Sequence, residues 1–446
     1  MKSFLRERFD YNFALLILQI LVFIGFSFYV ASNIRLGISP DEVHHFEVSV
    51  AYSETLGIPD NSPETHQFGD ITRGAFMYYW INGRILNLNF LEVDELVLLR
   101  SVNIVFSVLT LFFTFLLSKE VIKKRYFQII PTILLANTLM FAFLSGMVNY
   151  DNLVNLFAVL SVLMFVKFLK NYRNVRYLFF WLIFASLGAL TKFTILPLFL
   201  IQFLIIISEV VRKKVRLDWE KKSLFLFLLA ILTFVPIVVL YGGNYLKYGR
   251  ITPSCDQVMT VEQCMNSANF SRDYGAGRDL DFTTVEGLKG IIKTEISVLE
   301  YFPQWIFITA RSVYGILGHI NMFFPSYFYS IPVLCGLIFS VLFIRKWKKE
   351  EELDMKLIIV MIFYILVLSI FVNYKIFLNR GIHLALQGRY VFPIIPIYYV
   401  LLVKYYSLIS NKYLRYGLLF LVIVSIMYLG IPMFLQKVPP DWFFKT

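Results

Sequence analysis

Two acids and two histidines stand close together near the start of the chain. Asp41 and Glu42 are followed, after one valine, by His44 and His45. In a helix Asp41 and His45 share one face, which suits a carboxylate base whose pKa is tuned by a neighbour. The first turn of any helix also favours acids, because they complement its dipole, so a structural helix start is the alternative. A divalent metal held by the four side chains is a further alternative, although their spacing is not diagnostic.

The residues around the acidic pair predict the start of a helix. Ser39 is suited to cap it, Pro40 to occupy its first position and Glu42 to complete a capping box. A glycine, Gly57, marks its expected end. We therefore predict a helix over residues 40–56, with one apolar side resting on the membrane surface or on neighbouring helices.

Two further polar sites lie at the ends of apolar segments. Asn149 and Asp151 belong to the polar turn Asn-Tyr-Asp-Asn. They could contact a substrate or simply cap the helix that follows. Lys192 stands alone in a short turn between two apolar runs. It could hold an anionic lipid phosphate or extend its ammonium group to water.

Two arginines lie beside apolar segments later in the chain. Arg389 belongs to the motif Gln387-Gly388-Arg389-Tyr390, and Arg100 lies about one turn inside an apolar run. A guanidinium group suits bidentate binding of phosphate, whereas a charge near lipid is costly and usually has a partner. Each arginine is therefore either a phosphate ligand or one half of an ion pair with an acid of a neighbouring loop.

These residues belong to a strongly apolar chain. Of its 446 residues 58% are hydrophobic and only 16% are charged. A soluble protein of this length could not bury so much apolar surface, so lipid must be its main solvent. The predicted fold is an all-α polytopic membrane protein. The apolar runs that could cross about 30 Å of hydrocarbon number about eleven, namely Tyr11–Ala31, Leu96–Leu117, Phe127–Gly146, Leu153–Leu169, Tyr177–Leu190, Phe193–Ser208, Ser223–Tyr241, Tyr327–Ile344, Leu357–Val372, Val391–Val403 and Gly417–Leu435.

The basic residues are concentrated in alternate loops between these spans. Six such segments hold 25 of the 42 lysines and arginines. This is the pattern of cytoplasmic loops under the positive-inside rule, so the net charge of +12 indicates topology and not nucleic-acid binding. The N-terminus is predicted to be cytoplasmic. The first outer loop, residues 32–95, carries ten acids against three arginines.

The chain is predicted to form a single membrane domain, residues 1–446, with two large outer loops. The first loop, 32–95, should hold the 40–56 helix, a polar mobile loop over 59–74 and a second juxtamembrane helix within 75–90. The second comprises residues 246–325 and ends in a semi-apolar stretch, 304–325, which we interpret as an interfacial or re-entrant helix and not a twelfth span. Cys255 and Cys264 share this loop and form either a disulfide or two free thiols.

The predicted topology places the charged candidates at one membrane face. Carboxylates beside fixed cations suit group transfer from a phosphate-linked lipid, because a carboxylate can deprotonate the acceptor and cations can stabilise the departing phosphate. A transporter is the alternative of another class, but transporters place polar residues near the bilayer midplane, where these spans are almost free of charge. The residues brought to this face are Asp41, Glu42, Arg100, Asp151, Lys192 and Arg389.

Taken in order along the chain, these motifs resemble those of the GT-C class of membrane glycosyltransferases. That class includes protein O-mannosyltransferases and the lipid A aminoarabinose transferases. The similarity extends from the first outer loop to the tenth predicted span. It rests on Asp41-Glu42-Val43-His44-His45-Phe46, Asn149-Tyr150-Asp151-Asn152, Thr191-Lys192 and Gln387-Gly388-Arg389-Tyr390.

The resemblance implies a transferase that uses a polyprenyl-phosphate sugar at the outer face of the bacterial cytoplasmic membrane. Asp41 would be the base and Glu42 its neighbour. The cations Arg100, Lys192 and Arg389 would bind the donor phosphate, no residue is assigned as a metal ligand, and a divalent metal remains possible. The remaining site residues would be His44, His45, Asn149, Asp151, Gln387 and Tyr390.

The chain departs from these relatives in ways that affect the acceptor. The aminoarabinose and mannosyl enzymes have an arginine and a tyrosine soon after the acidic pair, where this chain has His44, His45 and Phe46. Its size, with no soluble C-terminal region after residue 441, is similar to the O-antigen-modifying glucosyltransferases, which favours a surface-polysaccharide acceptor. A lipid-linked polysaccharide polymerase or ligase and a flippase for lipid-linked saccharide remain alternatives.

Overall fold

The chain is helical throughout the part that the computed structural model describes, residues 11–214, 221–275, 296–346, 352–381, 383–384 and 386–444. Within these ranges β pairing is limited to two isolated bridges, Ile34 with Phe443 and Ile316 with Met322. The α-helices, in chain order, are α1 Tyr11–Asn33, α2 Glu42–Ser53, α3 Met77–Asn87, α4 Glu95–Val121, α5 Ile130–Ala136, α6 Leu139–Ser145, α7 Tyr150–Lys170, α8 Val175–Thr191, α9 Leu196–Arg212, α10 Lys221–Ile237, α11 Gly243–Tyr248, α12 Cys255–Val258, α13 Val261–Cys264, α14 Ala268–Asp273, α15 Val298–Tyr314, α16 Ser326–Lys346, α17 Glu352–Leu366, α18 Lys375–Arg380, α19 Ile395–Ser407, α20 Lys412–Leu429 and α21 Ile431–Lys437.

Eight helical stretches among the described residues are long and apolar enough to cross a membrane. Each coincides with a predicted span, and π-helical turns or short breaks join some α-helices into one stretch. The chain is therefore a multi-pass membrane protein, as predicted. The stretches are Tyr11–Asn33, Glu95–Val121, Tyr150–Lys170, Phe193–Arg212, Ser223–Tyr248, Ser326–Lys346, Glu352–Asn379 and Lys412–Lys437.

The other three predicted spans are shorter or bent. The third, 127–146, consists of two helices, Arg125–Ala136 and Leu139–Ser145, at 69° to each other. The fifth is the 17-residue helix α8, and the tenth is the 13-residue helix α19. A straight helix needs about 20 residues to cross the hydrocarbon alone. Because α19 is almost wholly buried among its neighbours, it needs no such length of its own.

Helix α7 lies at the centre of the bundle, with most of its length inside the protein. Helices α1, α10, α16 and α20 instead expose many large apolar side chains. In water such surfaces would be unfavourable, whereas in a bilayer they are the expected lipid-facing surface. Side-chain caps mark where several helices begin, with Asp94 capping α4, Asn149 capping α7 and Asn174 capping α8.

The first outer loop forms two helices packed against each other, α2 and α3. Gly83 of α3 allows this close approach, since a Cβ there would lie 2.7 Å from the Tyr52 backbone. The guanidinium of Arg84 donates to the carbonyls of Tyr52 and Thr55 and so satisfies the end of α2. The structure thus ends α2 at Ser53, before the predicted end at residue 56.

The predicted capping of α2 is wrong. The helix begins at Glu42, its N-cap is Asp41 and not Ser39, and no side chain caps it. Glu42 cannot complete a capping box, because its carboxylate is bound by Arg100. The hydroxyl of Ser39 is buried without a hydrogen-bond partner among the described residues. The ion pair between Glu42 and Arg100 therefore replaces the capping box that the local sequence predicted.

The segment between α2 and α3, predicted to be a mobile loop, contains a local network of hydrogen bonds. The Asp70 carboxylate accepts hydrogen bonds from the side chain of Asn61 at 2.9 Å and from Thr72 at 2.7 and 3.0 Å. Residues 66–68 form a 3₁₀ turn. These bonds give the polar stretch a defined shape because they satisfy its backbone and side-chain groups locally.

The second outer loop carries short helices and a disulfide bond between Cys255 and Cys264. Part of the predicted loop, residues 276–295, lies outside the described residues. In the predicted 304–325 stretch, α15 ends at Tyr314 and the remainder is irregular. Helix α15 is not among the candidate spans found in the described chain.

Candidate active site

Four of the predicted site residues form a continuous line of opposite charges. The guanidinium of Arg389 pairs with the carboxylate of Asp41, and its Nε lies 3.4 Å from Oδ2 of Asp151. Oδ1 of Asp151 in turn lies 2.6 Å from Nζ of Lys192. Residues from the first outer loop and from the starts or ends of three helices thus meet, although up to 348 positions separate them.

Asp41 is the accessible member of this line. Its side chain is 41% exposed, whereas Arg389 is 1% and Lys192 is 5% exposed. Its backbone has φ 60°, the left-handed region that an aspartate tolerates better than most residues. Burial would raise the pKa of the Asp41 carboxyl, but the positive charge of Arg389 outweighs it and holds the pKa well below its usual range. Asp41 is therefore a carboxylate at physiological pH.

Lys192 lies between two aromatic rings at the junction of α8 and the next span. Its ammonium is 4.2 Å from the ring centre of Tyr150 and 4.5 Å from that of Tyr390. Burial lowers the pKa of Lys192 to about 8, although the neighbouring Asp151 carboxylate opposes this shift. Lys192 is thus a fixed cation that begins to lose its charge in mildly alkaline solution.

Arg389 is placed by a close contact of the backbone. Gly388 packs against Ser312 and Val313 at the end of α15, and a Cβ there would lie 2.4 Å from the Val313 nitrogen. Glycine is therefore required for the 3₁₀ turn that carries Arg389. The Nε of Arg389 and the amide oxygen of Gln387 are both buried without a hydrogen-bond partner among the described residues. The same Nε lies in the ion pair with Asp151, so the guanidinium of Arg389 is held between the carboxylates of Asp41 and Asp151.

The asparagines of the Asn-Tyr-Asp-Asn turn hold the loop that carries Asp41. The side chain of Asn149 accepts from the backbone nitrogen of Asp151 at 2.9 Å and donates to the carbonyl of Pro40 at 3.2 Å. The side chain of Asn152 donates to Asn103 at 3.0 Å. The capping alternative for Asn149 is thus correct, and the same side chain also positions the residue before Asp41.

Glu42 and Arg100 form a separate, fully buried pair. Nε and Nη2 of Arg100 donate to the two carboxylate oxygens of Glu42 at 2.8 and 2.9 Å, and both side chains have no solvent exposure. Nη1 donates to the carbonyls of Ala31 and Ile34 at 2.7 and 2.6 Å. Every nitrogen of this guanidinium is therefore engaged. Arg100, predicted as a donor-phosphate ligand, and Glu42, predicted as a catalytic residue, are thus paired with each other and not with the line of charges around Asp41.

The rings of the two histidines lie 5.6 Å apart, both beside Tyr79. The ring of His44 faces Phe68 and borders a small cavity, whereas His45 is buried and its Nδ1 lies 2.9 Å from the hydroxyl of Tyr79. Burial lowers the pKa of both imidazoles, that of His45 far below its usual value. Both are neutral at physiological pH, and His45 supports the site by packing at 4.2 Å on the ring of Tyr150.

The acids and histidines of this site do not fit a divalent metal. Within the described ranges no three or more His, Cys, Asp or Glu side chains are grouped to hold one. The carboxylate of Glu42 is bound by Arg100, and that of Asp41 by Arg389. Both acids are therefore arranged to face guanidinium groups.

Two residues that support the site, Asn103 and Tyr79, were not among those predicted from the sequence. Asn103 lies within a span, and its side-chain oxygen accepts from Tyr78, Asn152 and the backbone of Asn149. A buried amide in an apolar helix was a visible signal, because polar groups in spans are expensive and need partners. Tyr79 carried no comparable signal, since aromatic residues are common beside membranes.

Two cavities adjoin the line of charges. One of about 200 Å³ is bordered by His44, Tyr79, Tyr150 and Lys192. The other, of about 550 Å³, is an apolar groove between α15, α16, α17 and the start of α19. The groove reaches Val391, two residues from Arg389. A ligand with a charged head and an apolar tail would match this arrangement.

Comparison with solved structures defines the class of this fold. ArnT from Cupriavidus metallidurans bound to undecaprenyl phosphate is similar with a TM-score of 0.50 and 11% identity, over 89% of this chain and 61% of ArnT. The Archaeoglobus fulgidus oligosaccharyltransferase tethered with an acceptor peptide is similar with a TM-score of 0.52 and 13% identity, over 97% and 58%. AglB from the same organism, in complex with an inhibitory peptide and a dolichol-phosphate, gives 0.50 and 14%, again over 97% and 58%. The chain has the GT-C fold of membrane glycosyltransferases, as the sequence resemblance implied.

Part of the chain also matches the sequence model of one protein family. Residues 74–240 match the family model described as dolichyl-phosphate-mannose-protein mannosyltransferase. No curated protein sequence matches the chain significantly. The chain spans less than two thirds of the length of each solved structure named above.

Proposed function

We propose that this protein transfers one sugar from a polyprenyl-phosphate donor to an acceptor hydroxyl at the outer face of the bacterial cytoplasmic, or inner, membrane, with its N-terminus in the cytoplasm. The acceptor is a surface polysaccharide, an O-antigen or another cell-envelope glycan. The carrying observation is that Asp41, an accessible carboxylate, lies directly against the buried cation Arg389, in a line of charges that continues through Asp151 to Lys192. An exposed base beside cations that solvent does not screen is the arrangement that this reaction needs.

The reaction is a single displacement. The acceptor oxygen attacks the anomeric carbon while its proton passes to a carboxylate oxygen of Asp41. The bond between the anomeric carbon and the phosphate oxygen breaks, and polyprenyl phosphate departs with the electron pair. Asp41 is the one accessible carboxylate in the described line of charges, with no second one placed as a nucleophile. Transfer therefore inverts the anomeric configuration.

Arg389 links donor binding to the basicity of Asp41. The charge of Arg389 holds the pKa of Asp41 low, which makes this carboxylate a weak base. A donor phosphate that binds Arg389 supplies a competing negative charge and weakens that effect. Asp41 thus becomes a stronger base once the donor is in place.

The apolar groove fits the lipid part of the donor. It begins beside Val391 and runs between α15 and α16, where Trp305, Leu337 and Ile362 line it. A phosphate at Arg389 would leave a polyprenyl chain free to enter this groove. The similar structures of ArnT and AglB hold undecaprenyl phosphate and a dolichol-phosphate respectively, which supports a lipid phosphate of this kind here.

The choice of donor tests this function. Purified protein in lipid vesicles is supplied with a saccharide acceptor and either a polyprenyl-phosphate hexose or a polyprenyl-pyrophosphate oligosaccharide. We expect a new glycosidic bond, detected by mass spectrometry, from the monophosphate donor alone. Consumption of the pyrophosphate donor alone would indicate a polymerase or ligase. Movement of lipid-linked saccharide across the vesicle membrane without a new bond would indicate a flippase.

Donor binding is expected to weaken in alkaline solution. Lys192, with its pKa lowered to about 8, is charged below that pH and gradually neutral above it. A bound phosphate favours the charged form, so binding above pH 8 requires proton uptake and affinity should fall by up to about tenfold per pH unit. Titration of the solubilised protein with undecaprenyl phosphate between pH 7 and 10 measures this decline.

The variant Lys192→Arg is the matched control for the pH dependence. Arginine remains charged throughout this range, so its affinity should stay nearly constant. The phosphate itself contributes little, because its second ionisation, near pH 6, is complete. A flat profile in the wild type, or an equal decline in the arginine variant, would exclude Lys192 as the titrating group.

A further inference from the structure

A larger cavity lies between the two outer loops, outside the line of charges. It has a volume of about 810 Å³, within the range of roughly 300–1,000 Å³ typical of ligand sites. Residues 68–74 of the first outer loop form one wall, and residues 252–257 and 267–275 of the second form the other. Gly69, in the left-handed region at φ 75°, packs closely against Ser267 and brings the two loops together.

The lining of this cavity is unusual in its chemistry. The described residues around it include carboxylates, amides, arginines and aromatic rings, but no leucine, isoleucine, valine or methionine. Exposed hydrogen-bonding groups at Asp256 and Asn269 face it. Carboxylates and amides pair well with hydroxyl groups, which both donate and accept hydrogen bonds. A peptide would instead require pockets for aliphatic side chains or a strand edge, and neither is present among these lining residues.

Two aromatic rings provide a surface for stacking. The rings of Phe270 and Tyr274 lie 5.3 Å apart at 33° on and beside α14. Phe270 is half-buried, whereas the side chain of Tyr274 is 53% exposed. The two rings thus offer an open aromatic face beside polar groups. The C–H face of a sugar ring packs on such a surface while its hydroxyls reach the polar neighbours.

The cavity is connected to the site of transfer. Phe68, Asp70 and Gly74 line both this cavity and the smaller one that Lys192 borders. Arg272, next to the cavity on α14, is salt-bridged to Asp273 at 2.9 Å and also lies within the field of Asp41, and both raise the pKa of Arg272. Because the two cavities share this wall, a ligand in the larger one would lie next to the smaller one that Lys192 borders.

We propose that this cavity binds the acceptor, that the acceptor is an oligosaccharide of more than one ring, and that Phe270 and Tyr274 hold it by stacking. The proposal rests on the function proposed above, since it names the second substrate of the same site. The disulfide between Cys255 and Cys264 holds the polar wall of the cavity in shape, with Cys264 fully buried.

Saturation-transfer NMR on the full-length protein in detergent tests this assignment. The probes are neutral hexose trisaccharides and, separately, short peptides that contain serine, threonine or asparagine. We expect transfer to the ring C–H protons of the trisaccharides by the wild type. Tyr274→Ala should raise their dissociation constant roughly tenfold, whereas Tyr274→Phe, which retains the ring, should bind like the wild type.

Because the measurement needs no sugar transfer, it is independent of the proposed reaction. Asp41→Asn should bind the trisaccharides normally while failing to transfer sugar. Saturation of the peptides and not the saccharides would overturn the proposal, as would saccharide binding that Tyr274→Ala leaves unchanged or the absence of any binding. Full transfer activity in Asp41→Asn would instead overturn the proposed function and leave the binding result standing.

Discussion

Replacing Asp41 with asparagine is expected to reduce sugar transfer by roughly 10²- to 10⁴-fold, the usual contribution of a general base. Asparagine has the same shape but cannot accept the proton of the acceptor hydroxyl. It also tolerates the left-handed backbone of this position, φ 60°, as well as any residue except glycine. Transfer of a labelled sugar by purified protein, from polyprenyl phosphate to a saccharide acceptor, measures the effect.

The fold of the Asp41→Asn variant should be intact. Its side chain is partly exposed, and Arg389 retains Asp151 as a partner. The matched control is Glu92→Gln, another acid of the first outer loop with a positive φ, 50°, but with an exposed side chain that is not a member of the line of charges. It should transfer at the wild-type rate. Near-normal transfer by Asp41→Asn would remove the base from the mechanism, and loss of both activities would point to the loop conformation instead.

Breaking the pair of Glu42 and Arg100 is expected to have the largest effect on stability. Either Glu42→Gln or Arg100→Gln leaves an uncompensated charge in a site with no solvent exposure, which costs about 3–5 kcal/mol. Arg100→Gln also removes the Nη1 donor from the carbonyls of Ala31 and Ile34. Thermal or denaturant unfolding in detergent, followed by tryptophan fluorescence, measures the change in the free energy of unfolding.

The double variant separates the pair from its surroundings. When both charges are removed, the cost should be well below the sum of the two single costs, because no unpaired charge remains. Glu120→Gln is the control, since Glu120 pairs with Lys170 at a surface where both side chains are partly exposed. It should cost less than about 1 kcal/mol. Strictly additive single effects would show that Glu42 and Arg100 are not coupled.

Asp41 and Glu42 are neighbours in the chain but differ in their surroundings. Asp41 lies before the first turn of α2 and its side chain is partly exposed, whereas Glu42 begins the helix and is fully buried with Arg100. Neighbouring positions of a chain project in different directions, so an acidic pair rarely acts as one unit. The ion pair of Glu42 stabilises the loop that presents Asp41, since Arg100 also binds the carbonyls of Ala31 and Ile34.

Much of the architecture follows from the sequence itself. The length of the apolar runs predicts the spans, because hydrocarbon can solvate only segments whose backbone is internally bonded. The positions of Asp151, Lys192 and Arg389 at the ends of apolar runs on one predicted face were enough to expect a common site. The structure confirms that these three side chains meet.

The tertiary structure alone decided which charge pairs with which. Arg100 and Arg389 look alike in sequence, yet the first is enclosed with Glu42 and the second lies between Asp151 and the exposed Asp41. A capping box is predicted from neighbouring residues alone, so the sequence predicted a pairing of Glu42 with Ser39. The actual partner, Arg100, lies 58 positions further along the chain. The cavity between the outer loops was invisible for the same reason. Composition and local pattern determine which segments enter the membrane. The pairing of buried charges depends instead on which helices pack together, and only the tertiary structure shows this.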